Sequence, residues 1–178
     1  MMDEFFSPTS ERHSLLASMF MYRIFPLIEQ NQLYAIQEQL SLVHYGNKYD
    51  GCGISLVDVD KECKVNFVDN ILNMLEYVLP DFMVFNNNSF IRNLDRTRIA
   101  GQPDLVVEIW SPNNTQKIRN MKFDLYTTSE KTEHWYLEQD SDTVKCWYGK
   151  ERLPNQSLTN VLITQQGLEF DLRYLALN

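Results

Sequence analysis

The sequence is short of basic charge. It holds 16 Lys and Arg against 24 Asp and Glu, a formal net charge of −8 over 178 residues, with a pI near 4.8. A domain that grips DNA by its phosphates usually presents a basic face and often a pI above ~9. The total therefore points away from nucleic acid, toward a small acidic binding protein or a small-molecule enzyme. Cysteine is scarce as well. Cys52, Cys63 and Cys146 are odd in number and their spacings match no zinc pattern, as expected of reduced thiols in a cytoplasmic setting. No apolar run approaches the ~18–20 residues of a membrane span, so no membrane partner is expected. The start, Met1-Met2-Asp3-Glu4, lacks the basic and then apolar pattern of a signal peptide. Repeats, low-complexity tracts and linkers are missing too.

What remains is a foldable chain, 44% apolar and 12% aromatic. Its length suits one domain spanning residues 1–178, since domains cluster near ~100–150 residues. Ser7-Pro8 reads as an N-cap followed by proline at the first helical position. The apolar spacing of Leu15, Leu16, Met19, Phe20, Ile24, Leu27 and Ile28 predicts a helix over 8–30, its last turn kinked or shortened by Pro26. A strand over 33–43 follows, with Tyr34, Ile36, Leu40 and Leu42 on one face. Glu38 shares that face and reads as an edge or paired acid. Residues 46–64 read as a loop, and Val68, Ile71, Leu72, Leu75 and Val78 as a short helix that Pro80 ends. Then come a strand over 82–85, a loop bearing Arg92, Arg96 and Arg98, and a strand over 105–110, apolar except at Glu108 and so buried on both faces. A helix over 115–129, a hairpin over 134–148, and a last strand with a helical turn over 161–177 complete an α+β chain.

Two strand-borne acids carry the chemical interest. Asp81 opens the 82–85 strand and Glu108 lies near the end of the next. If those strands pair antiparallel, the two acids converge. Asp104 then lies at the far end of its strand, ~13 Å from Glu108 at ~3.3 Å per residue, and is the poorer ligand. Paired carboxylates with a backbone carbonyl, here that of Ile109, suit a hard cation such as Mg²⁺ or Mn²⁺. Such a cation can activate water and neutralise a phosphate oxygen. Lys122 on the following helix would face the scissile phosphate, with Arg119 on the same helix face three residues earlier. His13, His44 and His134 make no ligand spacing and read as structural. Trp110, Trp135 and Trp147 read as core or sheet residues, and Cys146 as a buried small hydrophobe.

Three blocks give the chain a likeness. They are Pro103-Asp104-Leu105-Val106-Val107-Glu108-Ile109-Trp110-Ser111-Pro112, then Lys122-Phe123-Asp124-Leu125-Tyr126, then Glu133-His134-Trp135-Tyr136-Leu137. Together they resemble the Uma2 family of restriction endonucleases, a branch of the PD-(D/E)xK nuclease superfamily. Gly167 to Leu172 is similar to that family's closing strand, and Ser7-Pro8 with His13 to the start of its first helix. The likeness is faint over about 44–79, which reads as an atypical loop and helix. It implies a restriction-endonuclease-like core, a mixed sheet flanked by helices in an α/β/α-like arrangement. It also implies metal ligation by Asp81 and Glu108 and a catalytic role for Lys122. The superfamily's usual lysine, two after the glutamate, is Trp110 here, and Lys122 fits a lysine supplied by the next helix. Ile118 stands where the family often has aspartate, and its N-terminal acidic segment is reduced to Asp3-Glu4-Phe5-Phe6, leaving Glu4.

The expectation is thus a Mg²⁺- or Mn²⁺-dependent endonuclease acting on DNA, with Asp81, Glu108 and Lys122 catalytic and Asp81, Glu108 and Ile109 on the metal. Arg96, Arg98, Lys117 and Arg119 would touch the nucleic acid weakly. A homodimer follows if both strands are to be cut. The alternative is a degenerate nuclease fold kept as a nucleic-acid-binding or assembly module. The charge total is compatible with either, because it is unevenly spread: from Ser89 to Lys122 six basic residues face three acidic ones.

Overall fold

The structure is a computed structural model. It describes residues 11–30, 80–86, 103–127 and 130–177, and the backbone alone of 33–37, 41–43, 77–78, 91–93 and 98–101. Several sequence expectations lie outside these residues: the Ser7-Pro8 cap, Glu4, Glu38, His44, Cys52, Cys63, Arg96, the 46–64 loop and the 68–76 helix.

Helix α1 runs over Glu11–Glu29 and buries His13, Leu16, Ala17, Phe20 and Ile24. That spacing of three and four places them on one face. Pro26 does not break it. The proline lies on the exposed side near the end, where water can serve the carbonyl that loses its partner.

The main sheet, counted over the described residues, has seven strands in the order β1-β4-β7-β8-β9-β10, with β11 also paired to β9. These are β1 (Leu33–Gln37), β4 (Phe82–Asn86), β7 (Leu105–Trp110), β8 (Glu133–Glu138), β9 (Thr143–Tyr148), β10 (Glu151–Arg152) and β11 (Gln156–Ser157). Neighbours run antiparallel except β7 and β8, which are parallel. A parallel pair needs a crossover, and helix α2 (Gln116–Tyr126) supplies it. Thr115 caps α2 by accepting a hydrogen bond from the Ile118 N–H.

Alternation along the central strands divides two cores. Phe82, Val84, Leu105, Val107, Ile109, Trp135 and Leu137 pack with α1 and Phe170. Phe20 stacks on Phe82 at 5.5 Å and meets Phe170 edge-on at 5.2 Å. Met83, Phe85, Val106, Trp110 and Tyr136 pack on the other side with Tyr126 of α2. All six residues of β7 are buried, so Glu108 is an acid inside a two-sided core. The fold is α+β, a mixed sheet with helices, as the sequence suggested.

Three local expectations are corrected. The single strand over 33–43 is two: β1 joins the main sheet, while β2 (Ser41–Val43) joins a smaller sheet, lying between β3 (Tyr77–Val78) and β6 (Arg98–Gly101), with β5 (Ile91–Asn93) beyond β6. The alternation of Tyr34, Ile36, Leu40 and Leu42 persists across that change of sheet and so hid it. The helix expected to reach 78 gives way to β3 at Tyr77–Val78, where an aromatic and a β-branched residue before Leu79-Pro80 favour extended backbone. The loop bearing Arg92 and Arg98 contains β5 (Ile91–Asn93) and β6 (Arg98–Gly101), paired antiparallel. Strands of three and four residues that carry Arg92, Asn93 and Arg98 are too short to announce themselves by apolar alternation. The chain closes with β12 (Leu162–Ile163) paired to β13 (Glu169–Phe170) and a 3-10 turn over Arg173–Leu175.

Candidate active site

Phe82 pairs with Val107 in the β4–β7 ladder, so the register sets Asp81 opposite Glu108. The backbone ladder stops there, and the Asp81 side chain extends it: Oδ2 accepts the Ile109 N–H at 2.6 Å. The N–H and carbonyl of one strand residue leave from the same edge, so the Ile109 carbonyl faces this side too. The other Asp81 oxygen, Oδ1, lies 3.2 Å from Nε2 of His13 on α1.

Glu108 points to the opposite face, toward α2. Oε2 accepts from Lys122 Nζ at 2.7 Å and Oε1 from the Tyr126 hydroxyl at 2.5 Å. Lys122 and Tyr126 are four residues apart, which stacks them on one face of α2. Glu108 is only 1% exposed. Burial pushes its pKa up to about 7, the Lys122 charge pulls it back, and the Asp81 charge pushes it up again. Burial and then Glu108 likewise hold the Tyr126 hydroxyl well above its ordinary range. Lys122 Nζ also sits 5.5 Å from the centre of the Trp110 ring, which stacks on Tyr136. Lys122 is thus held between a carboxylate and an aromatic face.

The other sequence candidates are dispersed. Asp104 caps the far end of the ladder, accepting from the Asn86 N–H at 2.7 Å, from Asn86 Nδ2 at 2.6 Å and from Gln166 Nε2 at 3.1 Å. Arg119 donates to the Ser111 and Asn114 carbonyls and to Glu138, pinning the turn before α2 onto β8. Lys117 is exposed. Arg98 begins β6, its side chain outside the described residues along with Arg96. Two neighbours of the acids have no role in the sequence pattern. His13 lies on the buried face of α1 and contacts Asp81. Tyr126 is a buried aromatic of α2 whose hydroxyl reaches Glu108; its spacing of four from Lys122 puts both on one helix face without naming their partner.

Among the described residues no three His, Cys, Asp or Glu side chains converge as a ready ligand set. The two acids with the Ile109 carbonyl still fit a hard cation. All are oxygen donors, and Asp81 and Glu108 lie close enough for one charge to raise the other's pKa, a repulsion that a cation between them relieves.

The family model described as putative restriction endonuclease, Uma2, matches residues 54–178. The chain belongs to the Uma2 family. The match takes in most of the 44–79 stretch that looked atypical, and residues 1–53 precede it. The fold of this Uma2 chain also matches a crystal structure of a putative nuclease belonging to DUF820 from Anabaena variabilis. The TM-score is 0.62 at 15% identity, over 95% of this chain and 84% of that one. No curated protein matches the chain. No helix among the described residues is long and apolar enough to cross a membrane.

Proposed function

We propose that this Uma2 chain is a divalent-metal-dependent endonuclease that hydrolyses phosphodiester bonds in DNA. The observation that carries the reading is the meeting of Asp81, Glu108 and Lys122 at one end of the β4–β7 pair. Asp81, Glu108 and the Ile109 carbonyl would hold Mg²⁺ or Mn²⁺, which when bound supplies an activated water and neutralises a phosphate oxygen.

The chain's own residues do the remaining work. The Ile109 N–H orients Asp81. Tyr126 and Lys122 hold the two Glu108 oxygens so that the carboxylate cannot turn away. The Lys122 ammonium, placed beside that carboxylate, stabilises charge developing on the transferred phosphate, an electrostatic effect strengthened by its dry surroundings. Trp110 and Tyr136 wall the site on the α2 side. With one such site per chain, cutting both strands of a duplex brings two chains together, so a homodimer on DNA belongs to the same proposal.

Incubation of plasmid DNA with the protein and Mg²⁺ or Mn²⁺ is expected to give nicked and then linear product, lost with chelator and in Asp81→Asn and Lys122→Ala. Lys122 partners a buried carboxylate, and removing one member of such a pair costs about 3–5 kcal/mol, so each variant is first checked for native circular dichroism. Equal cleavage by wild type and folded Lys122→Ala refutes the assignment. Absence of both metal binding and cleavage in the wild type favours the binding or assembly module.

A further inference from the structure

The Asp81 carboxylate is gripped at both oxygens, by donors from different elements. The Ile109 N–H of β7 holds Oδ2 at 2.6 Å, and His13 of α1 stands 3.2 Å from Oδ1. Rotation about the bond to a carboxylate is soft, because such a torsion has broad rather than staggered minima. One anchor leaves that rotation open, and a second from another direction closes it. Each carboxylate oxygen accepts at two positions, so both anchors can be made while each oxygen keeps a position for another partner.

His13 is well placed to be the second anchor. Its side chain is 7% exposed and sits on the α1 face that also buries Leu16, Ala17, Phe20 and Ile24. Packing of the helix on the sheet, not a surface rotamer, therefore sets where Nε2 points. A polar ring on an apolar helix face is costly unless it is bonded, and a leucine there would carry no such cost. The Asp81 contact gives the histidine its use.

We propose that His13 is a positioning residue for the metal site. Its Nε2–H fixes the rotation of the Asp81 carboxylate that presents it toward Glu108 and a divalent cation. The inference rests on the reading of Asp81 as a metal ligand. It makes α1 a working part of the site, bringing the two faces of the sheet together at one strand end. His13 acts through Asp81 and does not touch the reacting phosphate.

The test is Mn²⁺ binding by titration calorimetry on full-length wild type, His13→Gln, His13→Asn, His13→Leu and Asp81→Asn, each confirmed folded by thermal melting. A glutamine amide nitrogen reaches about as far as imidazole Nε2, whereas an asparagine amide nitrogen falls short. Loss of an outer partner of a metal ligand typically weakens binding about 10–100-fold. The expected result is near-wild-type affinity in His13→Gln and at least about tenfold weaker binding in His13→Asn and His13→Leu. A role in packing alone would lower the melting temperature without separating Gln from Asn in affinity. If wild type binds Mn²⁺, Asp81→Asn does not, and Gln and Asn bind equally, the positioning role is overturned while the metal site stands. If wild type does not bind, or Asp81→Asn binds as well as wild type, the metal-site reading itself fails and takes this inference with it. Should His13→Leu not fold, the Gln and Asn pair decides alone.

Discussion

Tyr126 gives its hydroxyl to a carboxylate that has almost no water around it, and its value to the protein follows from that. The bond satisfies one oxygen of Glu108 while Lys122 satisfies the other. Tyr126→Phe keeps the ring in its buried place but leaves Oε1 without this donor, and an unsatisfied buried acceptor costs about 1–3 kcal/mol. Urea unfolding is expected to report a loss of that size, and an unchanged midpoint would mean that the bond contributes nothing net. Glu108 could be found in the sequence because an acid is out of place in a strand core, and Lys122 because it lies on the helix that follows, where the family resemblance implies a lysine. His13 and Tyr126 could not be found that way. Both suit a buried helix face, and only the register and the packing of two helices on opposite sides of one sheet assign them a carboxylate.

Strand β8 shows at the scale of an element how a polar pattern is absorbed by a core. Glu133, His134, Trp135 and Tyr136 are all buried, and each polar group has a partner. Glu133 accepts from Trp135 Nε1 at 2.6 Å and from the Gln165 N–H at 2.7 Å. His134 Nε2 lies 2.8 Å from the Gly149 carbonyl and Nδ1 3.0 Å from the Tyr136 hydroxyl. A carbonyl only accepts, so the neutral ring carries its proton on Nε2 and Nδ1 accepts from Tyr136. Burial lowers the His134 pKa from 6.5 to about 4, with the Gly149 bond opposing. Between those values the unfolded chain binds a proton that the folded chain refuses. The stabilisation is therefore complete above 6.5 and is lost as the pH falls toward 4, a change of about 3 kcal/mol. Glu133 has the opposite sign. Burial raises its pKa, so its contribution is present at low pH and is lost as the pH rises through the folded value. Urea titrations of wild type and His134→Gln over this range separate the two, since only wild type keeps the histidine slope. Parallel curves would refute the neutral, buried ring. The hairpin itself was legible in the sequence, because the two strands stand on either side of a plain turn at Gln139 to Asp142. The β5–β6 pair was not, since its strands are short and rich in arginine and asparagine, and what pairs them is backbone.

At the scale of the whole molecule the acidic total and a DNA substrate have to coexist. The basic stretch from Ser89 to Lys122 made that possible on paper, with six positive residues against three negative, but the structure shows how two of the six are engaged. Lys122 is paired with Glu108, and Arg119 with Glu138 and two carbonyls. Their charge contributes to the local field, while Lys122 gives one of its three donors to Glu108 and Arg119 gives three of its five to the protein. Of the other basic residues in this stretch, Lys117 is the one whose side chain is described, and it is exposed; a divalent cation at Asp81 and Glu108 would add local positive charge. Binding through counterion release scales with the number of phosphates neutralised, with a slope of log K against log salt near −0.9 per contact. About three contacts give a slope of about −3, and hence weak binding that is lost by roughly 200 mM salt. Fluorescence anisotropy of a labelled duplex with Asp81→Asn, which is expected not to cleave, measures this slope directly. A value near −10, of the size seen for proteins that neutralise many phosphates, would require a broad basic face. It would place the DNA on a surface other than the strip beside Glu108.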